Sequence, residues 1–169
     1  MEIMNRLIAL LIIYTFITDG FSQEPTSWRG PSRDGHYSET GLLKQWPAGG
    51  PQILWSYEDL GQGHSSAIVD QGMVYTTGMS SEDGYLFKFD LKGNLLYKKK
   101  YGPEFSSSYF GTRGTPTIMG DKIYLMSGYG KLYCVNNETG EVLWSKDLVK
   151  DFGGTVIQWG MNETPVIDG

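Results

Sequence analysis

Short runs of hydrophobic residues, separated by polar and glycine-containing breaks, cover the chain from residue 65 to residue 146. Each run is five or six residues long, is rich in β-branched or aromatic side chains, and is bounded by Gly, Asp, Asn or Ser, which is typical of a β-strand. We expect no helix in residues 60–148. The pattern predicts strands at 65–69, 73–78, 85–90, 94–99, 114–118, 122–127, 131–136 and 141–146.

These strands belong to a repeat with a period of 49 residues. Residues 66–75 match residues 115–124 at that offset, and the same pattern begins again at Thr164. Four antiparallel strands in a unit of this length predict a β-propeller blade, because one such sheet cannot bury both of its faces and stacked blades cover each other. Ile53-Leu54-Trp55 matches the end of a unit, and we interpret it as the closing strand of an earlier blade.

A hairpin motif defines the second unit most clearly, in residues 133–144. We expect Asn136 to end a strand and bond its own turn, Thr139-Gly140 to make the tight turn, and Trp144 to pack flat between blades. The motif resembles the blade motif of the pyrroloquinoline-quinone (PQQ) repeat family, with Asn136 in place of the usual Asp.

The rest of the chain extends this resemblance. The first unit carries a weaker copy, in which Asp90 and Gly93 match and Tyr97 stands for the Trp. Residues 28–47, which begin Trp-Arg-Gly-Pro-Ser-Arg-Asp-Gly, are similar to the lead-in of exported bacterial PQQ-binding-like repeat proteins. Those proteins are relatives of the outer-membrane assembly factor of the β-barrel machinery and of quinoprotein alcohol dehydrogenases.

The resemblance implies an all-β fold, a partial β-propeller of four-stranded antiparallel blades in a ring of seven or eight. Residues 23–52 would form a lead-in segment and residues 53–169 the partial propeller. We place full repeats at about 61–102 and 113–148, and the start of a third at 162. Because two complete units are a minority of such a ring, we expect the chain to be the N-terminal part of a protein of roughly 400 residues.

The N-terminal residues predict export. Arg6 precedes an apolar run of 11 residues, Leu7–Ile17, and small residues offer a cleavage point near Ser22-Gln23, so we interpret residues 1–22 as a signal peptide. The alternative, a membrane anchor, needs about 20 apolar residues. We therefore expect a periplasmic or secreted protein with no integral membrane segment after cleavage.

Charge and cysteine content exclude several function classes. The formal net charge of −5 gives no electrostatic basis for a nucleic-acid partner. Cys134 is the single cysteine and lies in an apolar stretch, so we expect a small buried side chain rather than a nucleophile. His36 and His64 have no ligand neighbours at a usable spacing, and we predict no metal site.

Catalytic and cofactor residues are not recognisable in the sequence. The resemblance to quinoprotein dehydrogenases raises the question of PQQ and calcium, which those enzymes bind together. The densest acidic loop, residues 81–84, lacks the alternating oxygen ligands of a calcium loop, and we interpret it as a hairpin tip. We therefore expect no cofactor in this chain unless it belongs to such a dehydrogenase.

Two long loops, Gly102–Gly114 and Lys150–Glu163, are rich in Gly, Ser and aromatic residues. Loops on a rigid scaffold commonly carry binding sites, so Arg113 and Trp159 are our candidates for lining the propeller mouth. The alternative is that both pack between blades. We expect a non-enzymatic exported scaffold that binds a protein, peptide or polysaccharide on its loops. The alternative function is a PQQ- and calcium-dependent dehydrogenase of alcohols or sugars.

Overall fold

The computed structural model describes residues 24–168, and the predicted signal peptide with its cleavage point lies outside them. Within the described residues the chain forms two four-stranded antiparallel sheets, with strand orders β1-β2-β3-β4 and β5-β6-β7-β8. The predicted all-β fold of four-stranded sheets is confirmed. The elements are β1 Ile68–Asp70, β2 Met73–Ser80, β3 Asp83–Asp90, β4 Leu95–Pro103, β5 Thr117–Met119, β6 Lys122–Met126, β7 Lys131–Asn136, β8 Val142–Asp147 and the helix α1 Leu148–Phe152.

The hairpin turns form as the turn residues predict. The Asp90 carboxylate accepts from the backbone N–H groups of Lys92 and Asn94, both at 2.9 Å. The Asn136 side chain does the same for the next turn, where it accepts from the N–H of Thr139 at 2.9 Å. Asn136 therefore keeps the turn hydrogen bonds that the usual Asp of the motif would make, because each side chain supplies an accepting oxygen.

The hydrophobic core lies between the two sheets. The fully buried rings of Tyr75 and Tyr133 come from opposite sides of this interface.

The starts of successive repeats also contact each other, because the Ser66 N–H donates to the Thr115 hydroxyl at 3.1 Å. Thr117 donates onward to the Pro165 carbonyl at 2.6 Å. The first strands of successive units thus lie side by side, as the inner strands of a radial arrangement do.

The segment before the first sheet differs from the prediction. Ile53-Leu54-Trp55 belongs to no strand and pairs with none in the described residues, so the predicted closing strand is wrong. A strand needs a neighbour, and here the chain contacts the first sheet through side chains instead. The lead-in segment does pair, because the backbone of Thr26 exchanges two hydrogen bonds of 2.8 Å with Ile118 of β5. Thr26 also donates to Asp70 of β1 at 2.6 Å, so the lead-in bridges both inner strands.

Helix α1 lies where a loop was expected, and its first residue, Leu148, is the last residue of the span predicted to be free of helix. Local capping explains it. The Asp147 side chain accepts from the Lys150 N–H, and Gly153 ends the helix in the left-handed conformation at φ 69°.

Among the described residues no helix is long and apolar enough to cross a membrane. Cys134 is fully buried, as predicted.

Candidate binding groove on the loop face

Two loops meet beside the sheets: residues 104–116, which follow β4, and residues 153–163, which follow α1. We call the surface that they form the loop face. A groove of about 640 Å³ opens there, and both sequence candidates, Arg113 and Trp159, line it. The full lining consists of Trp28, His64, Ser66, Tyr109, Arg113, Thr115, Ile157, Trp159, Gly160, Asn162 and Thr164.

Arg113 holds the two loops together. Its Nε donates to the Trp159 carbonyl at 2.8 Å, which joins the second loop to the first. Three more of its five N–H donors bind within the first loop, to the carbonyls of Gly111, Ser108 and Tyr109 at 2.7, 2.9 and 2.8 Å. Burial lowers the pKa of the Arg113 guanidinium from its ordinary value, and the charge of Glu104 opposes that shift. The side chain is therefore both a lining residue and a clamp.

Aromatic rings dominate the exposed part of the groove. Trp28, Tyr109 and Trp159 are 49%, 69% and 53% exposed. The rings of Tyr109 and Trp159 come from different loops and lie 5.5 Å apart between centroids. Because the Arg113 clamp contacts the backbone of both residues, it fixes the positions from which these rings project.

A buried carboxylate, Glu104, begins the first of these two loops. Glu104 is fully buried and accepts from the Tyr101 hydroxyl at 2.5 Å. It also accepts from the N–H groups of Phe105 and Gly128 at 3.1 and 2.9 Å, so it joins the end of β4 to the β6–β7 turn. Above it the Phe105 ring lies 4.6 Å from the Arg113 guanidinium carbon. Burial raises the pKa of Glu104, and the hydrogen bonds and Arg113 act in the opposite direction.

Sequence reasoning missed Glu104 and Trp28 as parts of this arrangement. Glu104 follows a Gly-Pro pair in a loop, and nothing local separates it from an exposed acidic residue. Trp28 lies 36 residues before the nearest other lining residue, His64, and reaches the groove because Thr26 is paired with β5. Both positions depend on contacts between segments that are distant in the chain.

A family model described as outer membrane protein assembly factor BamB matches residues 35–169. The chain belongs to the BamB family. The predicted resemblance to PQQ-like repeats is thereby confirmed, and the matched residues include both sheets, Arg113 and Trp159. Trp28 and Thr26 precede the matched range. No curated protein matches the chain.

The groove of this BamB-family chain does not fit PQQ with calcium. PQQ is a tricarboxylate that needs free cationic donors, whereas four of the five N–H donors of Arg113 already bind backbone carbonyls. Calcium takes six to eight oxygen ligands, usually including carboxylates, and the described lining contains no Asp or Glu. Within residues 24–168 no three His, Cys, Asp or Glu side chains are grouped closely enough to hold a metal ion.

Proposed function

We propose that this protein is an exported, non-catalytic β-propeller scaffold that binds a macromolecular partner in the loop-face groove. One observation carries the proposal: Arg113 clamps two loops so that Tyr109 and Trp159 are held side by side and exposed. Exposed aromatic side chains on a rigid frame are typical of binding hot spots. The partner is a protein, a peptide or a polysaccharide, and the word "assembly" in the family description supports a macromolecular partner.

Export is part of the proposal. The positive residue Arg6, the apolar run Leu7–Ile17 and the small residues before Gln23 form a signal peptide, and cleavage near Ser22-Gln23 releases a periplasmic or secreted protein. The family description refers to the outer membrane, which supports the periplasm.

The proposed test compares two tryptophan variants of the full chain, expressed with its own leader in its native host. Trp159→Ala removes a groove ring but keeps the backbone carbonyl that Arg113 binds. Trp46→Ala removes a ring that is 65% exposed and lies outside the groove. After cross-linking in the envelope, we expect wild type and Trp46→Ala to retain the same partner and Trp159→Ala to lose it. Equal retention by both variants would show that the groove is not the binding site.

A separate measurement tests the proposal that the protein has no catalytic activity. The dehydrogenase alternative requires PQQ and calcium, so the purified protein is incubated with both and assayed for dye reduction with alcohols and sugars. We expect no turnover. Reduction that depends on both PQQ and calcium would overturn the proposal in favour of the alternative.

A further inference from the structure

We propose that the partner held in the loop-face groove is an uncharged sugar chain, an inference that rests on the proposed function and names its partner class. The groove combines exposed rings, a small set of polar side chains and several backbone groups that are already hydrogen-bonded. Each of these features bears on the choice between a sugar chain and a charged or extended peptide.

The charge of the groove excludes recognition by ion pairs. Arg113 is the one Lys or Arg side chain among the described lining residues, and four backbone carbonyls accept its hydrogen bonds. These four bonds engage all but one of the five Arg113 N–H donors, so little of its hydrogen-bonding capacity is left for an acidic polymer. A basic polymer would find no Asp or Glu among the described lining residues, and the neighbouring Glu163 carboxylate already accepts from the Asn162 N–H at 3.0 Å. The chemistry therefore selects a neutral ligand.

The exposed rings provide the apolar contact. The exposed rings of Trp28, Tyr109 and Trp159 line the groove, and the last two lie 5.5 Å apart between centroids at an interplanar angle of 49°. The faces of aromatic rings carry partial negative charge, and the C–H groups on one side of a sugar ring carry partial positive charge. A sugar ring can therefore stack on these faces while its hydroxyl groups point sideways.

Polar side chains other than Lys, Arg, Asp and Glu line the groove beside the rings. His64, Ser66, Asn162 and Thr164 line the same groove and supply donors and acceptors for hydroxyl groups. An apolar surface with a few polar groups of this kind is typical of an oriented ligand site.

An extended peptide bound by strand addition would need unpaired backbone groups along the groove. Peptides recognised by strand addition pair with free N–H and C=O groups along a strand edge. Here the carbonyls of Tyr109 and Trp159 accept from Arg113, and the Gln158 carbonyl accepts from Ser108 at 3.0 Å. The His64 N–H already donates to the Thr112 carbonyl at 2.7 Å. The backbone around the groove is thus engaged, and recognition falls to side chains.

The experiment is a calorimetric titration of the full chain with cellohexaose, maltohexaose and chitohexaose, alongside an acidic oligogalacturonate. We expect at least one neutral oligosaccharide to bind and the acidic one not to bind. Affinity should change by less than about twofold between low and high salt, because no ion pair forms. Trp159→Ala should weaken binding by about tenfold or more, whereas Trp46→Ala should leave it unchanged.

A pair of tyrosine variants keeps the test independent of any effect of Trp159→Ala on folding. Tyr109→Phe keeps the ring and should bind as wild type does, while Tyr109→Ala should lose affinity, with both melting curves close to that of wild type. If no neutral oligosaccharide binds but a protein partner is lost with Trp159→Ala, the sugar inference is overturned and the proposed function stands. If neither sugar nor protein depends on Trp159, both fail.

Discussion

The indole of Trp55 lies directly over the turn glycine Gly93: a Cβ at that glycine would stand 2.6 Å from two of its ring carbons. The indole N–H donates to the Leu91 carbonyl of the same turn at 3.0 Å. Tyr97, which occupies the equivalent place at the end of the first unit, lies over Gly140 of the second unit in the same way, with a ring carbon 3.0 Å from the Cβ position. Trp55 and Tyr97 thus each cover the turn glycine of the unit that follows them.

Gly93→Ala should therefore destabilise the protein more than a turn substitution without a neighbour. Gly72 is the matched control, because it also lies in a hairpin turn at positive φ, 77° against 85°, and a Cβ there would have nothing within 4 Å. We expect Gly72→Ala to lower the free energy of unfolding by about 1 kcal/mol through backbone strain alone. Gly93→Ala should cost about 2–4 kcal/mol, since Trp55 must also move. Urea unfolding measures both free energies. Equal losses for the two variants would show that the contact between Trp55 and Gly93 adds no cost to the substitution.

Tyr97 and Trp144 occupy equivalent positions in the repeat, but they should contribute differently to the free energy of unfolding. Tyr97 is covered by the turn of the second sheet, whereas Trp144 is 43% exposed on the outward face of that sheet. We expect Tyr97→Ala to lower the free energy of unfolding by about 2–4 kcal/mol and Trp144→Ala by about 1 kcal/mol or less. A loss at Trp144 as large as that at Tyr97 would mean that this face is covered in solution, which sedimentation analysis would reveal as self-association.

Asn137 joins the sheets through polar contacts, and its removal should be costly. Its side-chain oxygen accepts from the Tyr75 hydroxyl at 2.8 Å and from Lys88 Nζ at 3.0 Å, while its Nδ2 donates to the Gly120 carbonyl at 3.0 Å. We expect Asn137→Ala to lower the free energy of unfolding by about 2–4 kcal/mol, because it leaves partly buried partners unsatisfied.

The control for Asn137 is Asn94→Ala, in an exposed turn within the first sheet, which should cost about 1 kcal/mol or less by the same measurement. Comparable losses for the two variants would show that the contacts of Asn137 across the interface contribute no more than an ordinary turn.

Local chemistry explains what could be predicted from the sequence. The turns at Asp90 and Asn136 depend on side chains that bond their own backbone, so residue type and spacing were sufficient. Arg113 and Trp159 could be placed on the same surface because both lie in aromatic-rich loops after equivalent strands. Their direct contact could not be predicted, and neither could the buried position of Glu104, because both arise where loops 46 and 24 residues apart meet.

Glu104 should make stability depend on pH in a direction opposite to that of a typical ion-paired carboxylate. Its pKa is raised above the ordinary value of 4.5 by burial, so between that value and the raised pKa the folded state holds a proton that the unfolded state has lost. The stabilisation is complete below about pH 4.5 and is lost as pH rises through the folded pKa. Among the groups that face it, Tyr101 and Tyr133 also have raised pKa values, the latter about 12, and Arg113 stays charged, so none titrates in this window.

The measurement is urea unfolding at several values between about pH 4 and pH 7 for wild type, Glu104→Gln and the exposed control Glu138→Gln. Glutamine keeps the shape of the side chain but cannot ionise, so the free energy of unfolding of wild type should fall relative to Glu104→Gln as pH rises. Glu138→Gln should follow the wild-type slope. A constant difference between wild type and Glu104→Gln across the range would show that the buried carboxyl titrates alike in the folded and unfolded states, and its cost of burial would then be fully offset by Tyr101 and the two backbone N–H groups.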